Sequence, residues 1–148
     1  MHDATRLRRL RGLVALREVL TLAAAADNAA AREAQDAAEA AAEGDARRLH
    51  EAADEWYRHA LGSGMPEVGA ARAAVLVDRE SRARSSAEQA HRAAAASEDR
   101  ERALQLAKAA ERGAAQAVDK LARKHSRKQA ERASATLADR ATLAWIRR

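Results

Sequence analysis

Leucine and alanine recur along the first half of the chain at alternating steps of three and four residues. The series is Leu13, Leu16, Leu20, Ala23, Ala30, Ala34, Ala37 and Ala41, with Asp27 in its one gap, and after a slip at Gly44-Asp45 it resumes as Ala42, Ala46, Leu49, Ala53, Trp56 and Ala60. Such a seven-residue repeat is typical of a left-handed coiled coil. We therefore predict a long first helix that packs through a narrow, alanine-rich face.

The same spacing returns in the second half. It runs through Ala103, Ala107, Ala110, Ala114, Ala117 and Leu121 and, after another slip, through Ala130, Ala133, Leu137, Ala141 and Ala144. Between the halves, Gly62 and Gly64 can adopt positive φ after a helix end, and Pro66 suits the first turn of a new helix. The chain is thus predicted to be all-α, with two long unequal helices in an antiparallel coiled-coil hairpin.

This hairpin is expected to form one domain over residues 1–148, with helix 1 at about 4–60, a turn at 61–66 and helix 2 at about 66–146. Folding at the turn pairs residue i with about 127 − i, so helix 2 extends beyond helix 1 from about Lys124 onwards. Gly44-Asp45 and Ser97-Glu98-Asp99 are two candidate helix breaks. If both are real, the fold is a four-helix bundle instead.

Composition supports long helices. Alanine occupies 44 of 148 positions, charged residues make up 33%, and there are three aromatic residues and one proline. Few aromatics also fit a disordered chain, but strong helix propensity argues against disorder. Without cysteine there is no disulfide or thiolate site. No apolar run is long enough to cross a bilayer, so we expect no transmembrane segment and a cytoplasmic location, although the basic start also resembles a transit peptide.

Charge is divided along the chain. Residues 27–54 hold eight acidic residues against three arginines, whereas residues 120–148 hold nine basic residues against two acidic ones. The first turns add Arg6, Arg8, Arg9, Arg11 and Arg17. An antiparallel hairpin brings the two basic segments to the same end, where they would attract an acidic partner.

The sequence contains no complete catalytic or metal-binding motif. His50-Glu51-Ala52-Ala53-Asp54 resembles the HExxH zinc motif, but Asp54 stands where that motif has its second histidine. Neighbouring carboxylates such as Glu98 and Asp99 read as solvent-facing charges. We therefore expect no enzyme activity, cofactor or metal.

Two segments are candidates for binding. Trp56 and Tyr57 lie one turn before the hairpin turn, where Trp56 either fills the end of the helix interface or contributes with Tyr57 to a docking surface. The basic run from Lys120 to Lys128 predicts phosphate binding or, alternatively, a solvated helix face. No aromatic residues alternate with these cations to stack on bases.

The organisation resembles the FliJ/YscO central-stalk proteins of flagellar and virulence type III secretion. The segment from Leu7 to Leu13 (LRRLRGL) followed by Leu16-Arg17-Glu18, the aromatic pair near the turn, the basic run 124–132 and Leu137-Ala138-Asp139-Arg140-Ala141 are similar to that family's pattern. Asp139-Arg140 stands where the family has Asp-Glu. The resemblance extends over nearly the whole chain in architecture, but in residue pattern it is confined to these segments.

The resemblance implies a non-enzymatic stalk or adaptor at the cytoplasmic side of an inner-membrane export apparatus. Its partners would be a hexameric secretion ATPase, an export-gate protein and export chaperones. The implied ATPase-binding residues are Arg6, Arg8, Arg9, Leu10, Arg140, Leu143 and Trp145, and the implied export-gate-binding residues are Trp56, Tyr57, Val68 and Leu76. The competing classes are a basic nucleic-acid-binding protein and a generic coiled-coil adaptor or chaperone.

Overall fold

The computed structural model of the chain describes residues 2–62 and 65–146, and the surroundings of the side chains within 5–62 and 65–142 and at residue 145. Helix α1 spans His2–Leu61 and helix α2 spans Pro66–Ile146. Both are long because alanine, leucine, arginine and glutamate favour helix and no proline interrupts either interior. The predicted all-α hairpin of two unequal helices is confirmed, with helix bounds within two residues of those expected.

The hairpin turn differs from the prediction in one detail. The Gly62 amide donates to the His59 carbonyl at 3.2 Å, which closes α1 with a tight final turn. Among the described glycines none has positive φ, so the predicted left-handed conformation is wrong for Gly62, and Gly64 lies outside the described residues. Pro66 begins α2 as predicted, and the Gly69 amide donates to the Met65 carbonyl at 3.1 Å.

Neither candidate helix break is realised. Helix α1 passes through Gly44-Asp45 and α2 passes through Ser97-Glu98-Asp99 without interruption. Ser97 is only 5% exposed, so it lies within the interface between the helices rather than at a helix start. The alternative four-helix bundle is therefore excluded.

Replacing Gly44 with alanine is expected to stabilise the protein by about 1 kcal/mol, because glycine in a helix interior loses more backbone entropy on folding than alanine does. A Cβ built at Gly44 meets nothing within 4 Å, so the added methyl causes no clash. Urea unfolding followed by circular dichroism would measure the change. A loss of stability in Gly44→Ala would contradict the uninterrupted helix.

Up to residue 41 the buried stripe of α1 lies one residue away from the predicted one, whereas Ala42 and Leu49 of the second predicted series belong to it. Its members recur with the seven-residue repeat and are half-buried or buried: Leu7, Leu10, Val14, Thr21, Ala24, Asn28, Ala31, Gln35, Ala38, Ala42, Asp45, Leu49, Ala52 and His59. We call these positions and their partners on α2 the seam. The predicted Leu13, Leu16, Leu20, Ala23, Ala30, Ala34, Ala37 and Ala41 are all exposed, and the seam shows no slip at Gly44.

The seam of α2 follows the same repeat. It comprises Gly69, Arg72, Leu76, Arg79, Ala83, Ser86, Ala90, Ala93, Ser97, Leu104, Ala107, Glu111, Ala114, Val118, Leu121 and His125. The prediction was right for Ala107, Ala114 and Leu121 and wrong for Ala103 and Ala117, which are exposed, while the half-buried Ala110 adjoins the seam. All side chains from 126 to 142 are exposed, so the predicted second slip is absent and this part of α2 extends beyond the seam.

Contacts divide the chain into two compact units. Unit 1 comprises Met1–Ala23 and Gln105–Arg148, and unit 2 comprises Ala24–Leu104. In unit 2, Arg72 Nη1 donates to the Glu55 carbonyl at 3.0 Å, and Arg100 Nη1 lies 3.5 Å from Asp27 Oδ2. The residue numbers of each of these two pairs add to 127. The predicted pairing of i with about 127 − i is therefore confirmed at these two positions of unit 2.

Few large side chains are buried in this interface. Leu104, at 7% exposed, is the one apolar residue of the described part that is buried, whereas Asn28, Ser86 and Ser97 are buried polar residues. Exposed ion pairs between the helices, such as Arg32–Glu101 at 3.4 Å, each contribute about 0–1 kcal/mol. Stability thus depends on a few seam positions. Within the described residues, neither helix contains an apolar stretch of membrane-spanning length.

Candidate partner-binding surfaces

The two units carry opposite net charge. The residues of unit 1 include 16 Lys and Arg against 6 Asp and Glu, a net charge of +10, while those of unit 2 include 11 against 16, a net charge of −5. Unit 1 contains both the start of α1 and the end of α2, because the antiparallel hairpin pairs them. A concentration of positive charge in one unit attracts acidic partners and increases their association rate.

Three of the four predicted ATPase-binding residues near the start of α1 are accessible. Arg6, Arg8 and Arg9 are exposed, whereas Leu10 is half-buried in the seam. The three guanidinium groups can therefore reach a partner without disturbing the hairpin. Leu10 packs between the helices, so its substitution would affect folding as well as binding.

The remaining predicted ATPase-binding residues form a separate group. Arg140 is exposed, Trp145 is 79% exposed, and the side chain of Leu143 lies outside the described part. His125 is the last half-buried seam position of α2. Arg140 lies roughly four helical turns beyond it, a rise of about 22 Å. Unit 1 therefore presents two groups of predicted contacts, not one continuous site.

Unit 1 also carries four basic residues on one face of α2. Arg123, Lys124 and Arg127 follow Lys120 by three, four and seven residues. All four side chains are exposed and line a shallow depression. We call them the basic stripe. Residues at this spacing are neighbours on a helix surface, so the stripe can contact several phosphates or carboxylates together.

The predicted gate-binding residues lie around the hairpin turn and differ in exposure. Tyr57 is 61% exposed and Val68 is 40% exposed. Trp56 falls on the seven-residue repeat of the seam and is 36% exposed, and Leu76 is half-buried in the seam. Tyr57, Val68 and Trp56 are thus available for contact, while Leu76 lies in the seam.

The His59 side chain packs against the start of α2 at the hairpin turn. His59 Nε2 lies 3.3 Å from the Met65 carbonyl oxygen, a hydrogen bond when that nitrogen carries the proton. A Cβ built at Gly69 would lie 3.5 Å from the same nitrogen. That distance is an ordinary van der Waals contact, so the imidazole lies against the first turn of α2.

The residues of the degraded zinc motif form a surface contact between His50 and Asp54. His50 Nε2 lies 3.7 Å from Asp54 Oδ2, and the His50 side chain is 80% exposed. Glu98 and Asp99 both accept hydrogen bonds from Arg102 at 3.1 Å. No group of three or more histidine, aspartate or glutamate side chains in the described part is arranged to hold a metal ion.

One exposed apolar surface was not predicted. Leu13, Leu16 and Leu20 of α1 are 47–54% exposed, and Leu106 of α2 is 72% exposed. We call these four residues the leucine face. The apolar spacing assigned the first three to the interface. A second seven-residue series in the sequence could have indicated that these three leucines lie outside the interface, because it continues along α1 without a slip. That series is Leu7, Val14, Thr21, Asn28, Gln35, Ala42, Leu49 and Trp56.

No protein family model, curated protein or solved structure matches this chain.

Proposed function

We propose that the protein is a non-enzymatic stalk or adaptor of a type III protein-export apparatus. In this role unit 1 binds the hexameric secretion ATPase, and the turn end of unit 2 contacts the export-gate protein. The observation that carries the proposal is the charge separation, because a net charge of +10 is concentrated in the unit that contains both basic segments.

Exposure supports this assignment. Arg6, Arg8, Arg9 and Arg140 are exposed in unit 1, so charged groups are available to an acidic surface of the ATPase. Tyr57 and Val68 provide an apolar contact for the gate protein in unit 2. The proposed location is the cytoplasmic face of the inner membrane, beside the export apparatus, where export chaperones are further candidate partners.

The basic stripe favours a second function, nucleic-acid binding. Its four cations lie on one helix face and match the repeated charge of a phosphate backbone. Binding of this kind releases counterions, so affinity would fall steeply as salt concentration rises. Binding to a folded protein surface depends less on salt when apolar contacts contribute.

Replacing Arg6, Arg8 and Arg9 together with glutamate is expected to weaken binding to the export ATPase by roughly tenfold or more, because complementary charge at the contact becomes repulsion. The wild-type and variant proteins would be used to capture partners from nuclease-treated lysate at moderate salt, with identification by mass spectrometry. Affinity for the purified ATPase would then be measured. The matched control replaces Arg47, Arg48 and Arg58 of unit 2, which are also exposed.

Equal ATPase binding by wild type and the unit 1 variant would reject the proposed contact. If no ATPase is captured and lysate without nuclease instead yields nucleic acid, the nucleic-acid function replaces the stalk. Circular dichroism checks that both variants remain helical.

A further inference from the structure

We propose that the leucine face binds an amphipathic α-helix with acidic flanks, supplied by a partner protein. The inference does not depend on an export ATPase, because it rests on the exposed leucines of unit 1 and the charges beside them.

The first observation is the amount of exposed apolar surface. All four leucines of the face are 47–72% exposed, and Val19, at 61%, adjoins them. Leu13, Leu16 and Leu20 are separated by three and four residues, which is the spacing of a helix interface. Contiguous exposed apolar patches mark interaction sites, because covering them removes apolar surface from water.

The second observation is that both helices contribute to one side of unit 1. Leu13 and Leu20 directly precede the seam residues Val14 and Thr21. On α2, Leu106, Ala110 and Ala117 directly precede the seam positions at 107, 111 and 118. In an antiparallel helix pair, positions that precede seam residues lie on the same side of the two helices. The leucines of α1 therefore face the same direction as the small residues of α2.

The third observation is the shape of that side. A Cβ built at Gly113 meets nothing within 4 Å, so the surface is open there. Ala110, Gly113 and Ala117 are small residues on the same side of the helix pair as the larger leucines. A third helix is the element that fits, because its side chains pack between rows of residues spaced three and four apart.

The fourth observation concerns charge at one end of the face. Arg6 and Arg9 precede Leu13 and Leu16 by seven residues each, and Lys124 follows Ala117 by seven, so all three lie on this side of the helices. All three are exposed. Acidic residues flanking the apolar stripe of the bound helix would complement them.

The same charges argue against a second copy of this surface as the occupant. Two copies of unit 1 packed face to face would bring two net charges of +10 together. Like-charge contacts of this kind oppose association. An acidic helix gains the same apolar contact without the repulsion.

A labelled synthetic helix tests the proposal with the full chain. The probe is a peptide of about 21 residues, or three heptads. Leucine occupies the first and fourth position of each heptad, which form its apolar stripe, and glutamate lies on its other faces. A matched probe carries lysine in place of every glutamate. We expect the acidic probe to bind in fluorescence anisotropy titrations and the lysine probe to bind at least roughly tenfold more weakly.

Leu16→Glu is expected to weaken binding of the acidic probe by roughly tenfold or more, because it places an acidic group within the apolar contact. Leu20→Gln is a second variant that disrupts the apolar contact without adding a charge. Leu137→Glu is the control, since Leu137 is 65% exposed and lies outside the face. Circular dichroism and the thermal midpoint would confirm that each variant folds as the wild type does.

Equal binding of the acidic probe to wild type and to both leucine variants would overturn the proposal, as would equal binding of the lysine probe. Sedimentation equilibrium adds a further check. A wild-type dimer that Leu16→Glu converts to monomer would assign the face to a second copy and overturn the acidic-helix assignment. All these variants retain Arg6, Arg8 and Arg9, so failure here is distinguishable from failure of the proposed ATPase contact.

Discussion

Replacing Leu104 with alanine is expected to lower the free energy of unfolding by about 3 kcal/mol. Leu104 is the apolar residue of the described part with the least exposure, 7%, in an interface otherwise made largely of alanine and polar residues. Truncation removes its apolar contacts and leaves a cavity that helices already held close by small residues can close only in part. Urea unfolding monitored by circular dichroism would measure the loss.

Leu106→Ala is the matched control, because it removes the same atoms two residues later on the same helix. Leu106 is 72% exposed. Its truncation is therefore expected to change the free energy of unfolding by only about 0.5 kcal/mol or less. Similar losses in the two variants would contradict the seam position of Leu104. Leu106→Ala should nevertheless weaken binding of the acidic probe, since Leu106 belongs to the leucine face.

Replacing Asn28 with leucine is expected to raise the free energy of unfolding by about 2 kcal/mol. Asn28 is 7% exposed, and its Oδ1 atom is buried without a hydrogen-bond partner. An unsatisfied buried acceptor costs about 1–3 kcal/mol, and leucine has a similar branched shape without polar atoms. The substitution therefore removes the desolvation cost of the amide and adds apolar contact within the seam.

We also expect this variant to lose specificity, because a polar residue in a coiled-coil seam restricts register and oligomeric state. Sedimentation equilibrium should reveal self-association that the wild type lacks at the same concentration. A lower unfolding midpoint in Asn28→Leu would show that the Asn28 amide stabilises the seam.

Ser86→Ala is the control for a buried polar residue. Ser86 Oγ already donates to helix carbonyls, at 3.0 Å to Arg82 or 3.2 Å to Ala83. Because the hydroxyl is satisfied within its own helix, its removal should change the free energy of unfolding by only about 0.5 kcal/mol or less. A gain as large as that of Asn28→Leu would show that burying any polar side chain, rather than the unsatisfied amide, destabilises the seam.

The hairpin and its charges could be predicted because local properties determine them. High helix propensity over long stretches and the single proline at Pro66 indicated two helices and one turn. Counting residues from the turn also predicted the pairing later observed between Arg100 and Asp27. These features need no knowledge of which face each helix buries.

The buried face of α1 could not be predicted in the same way. The helix carries two stripes with the same repeat, offset by one residue, or about 100° around the helix. The stripe through Leu13, Leu16 and Leu20 looks more apolar than the buried one through Thr21 and Asn28. Choosing the more apolar stripe therefore required slips that the structure does not contain.

The sequence by itself determined the two helices, the turn and the distribution of charge, because propensity and residue order act locally. Only the tertiary structure decided which stripe is buried. The buried stripes of the two helices must fit each other along their whole contact. A seven-residue repeat without slips brings Leu49 of α1 and Leu104 and Val118 of α2 into the seam. That choice leaves Leu13, Leu16 and Leu20 exposed, so the surface proposed to bind a third helix follows from how the two helices pair.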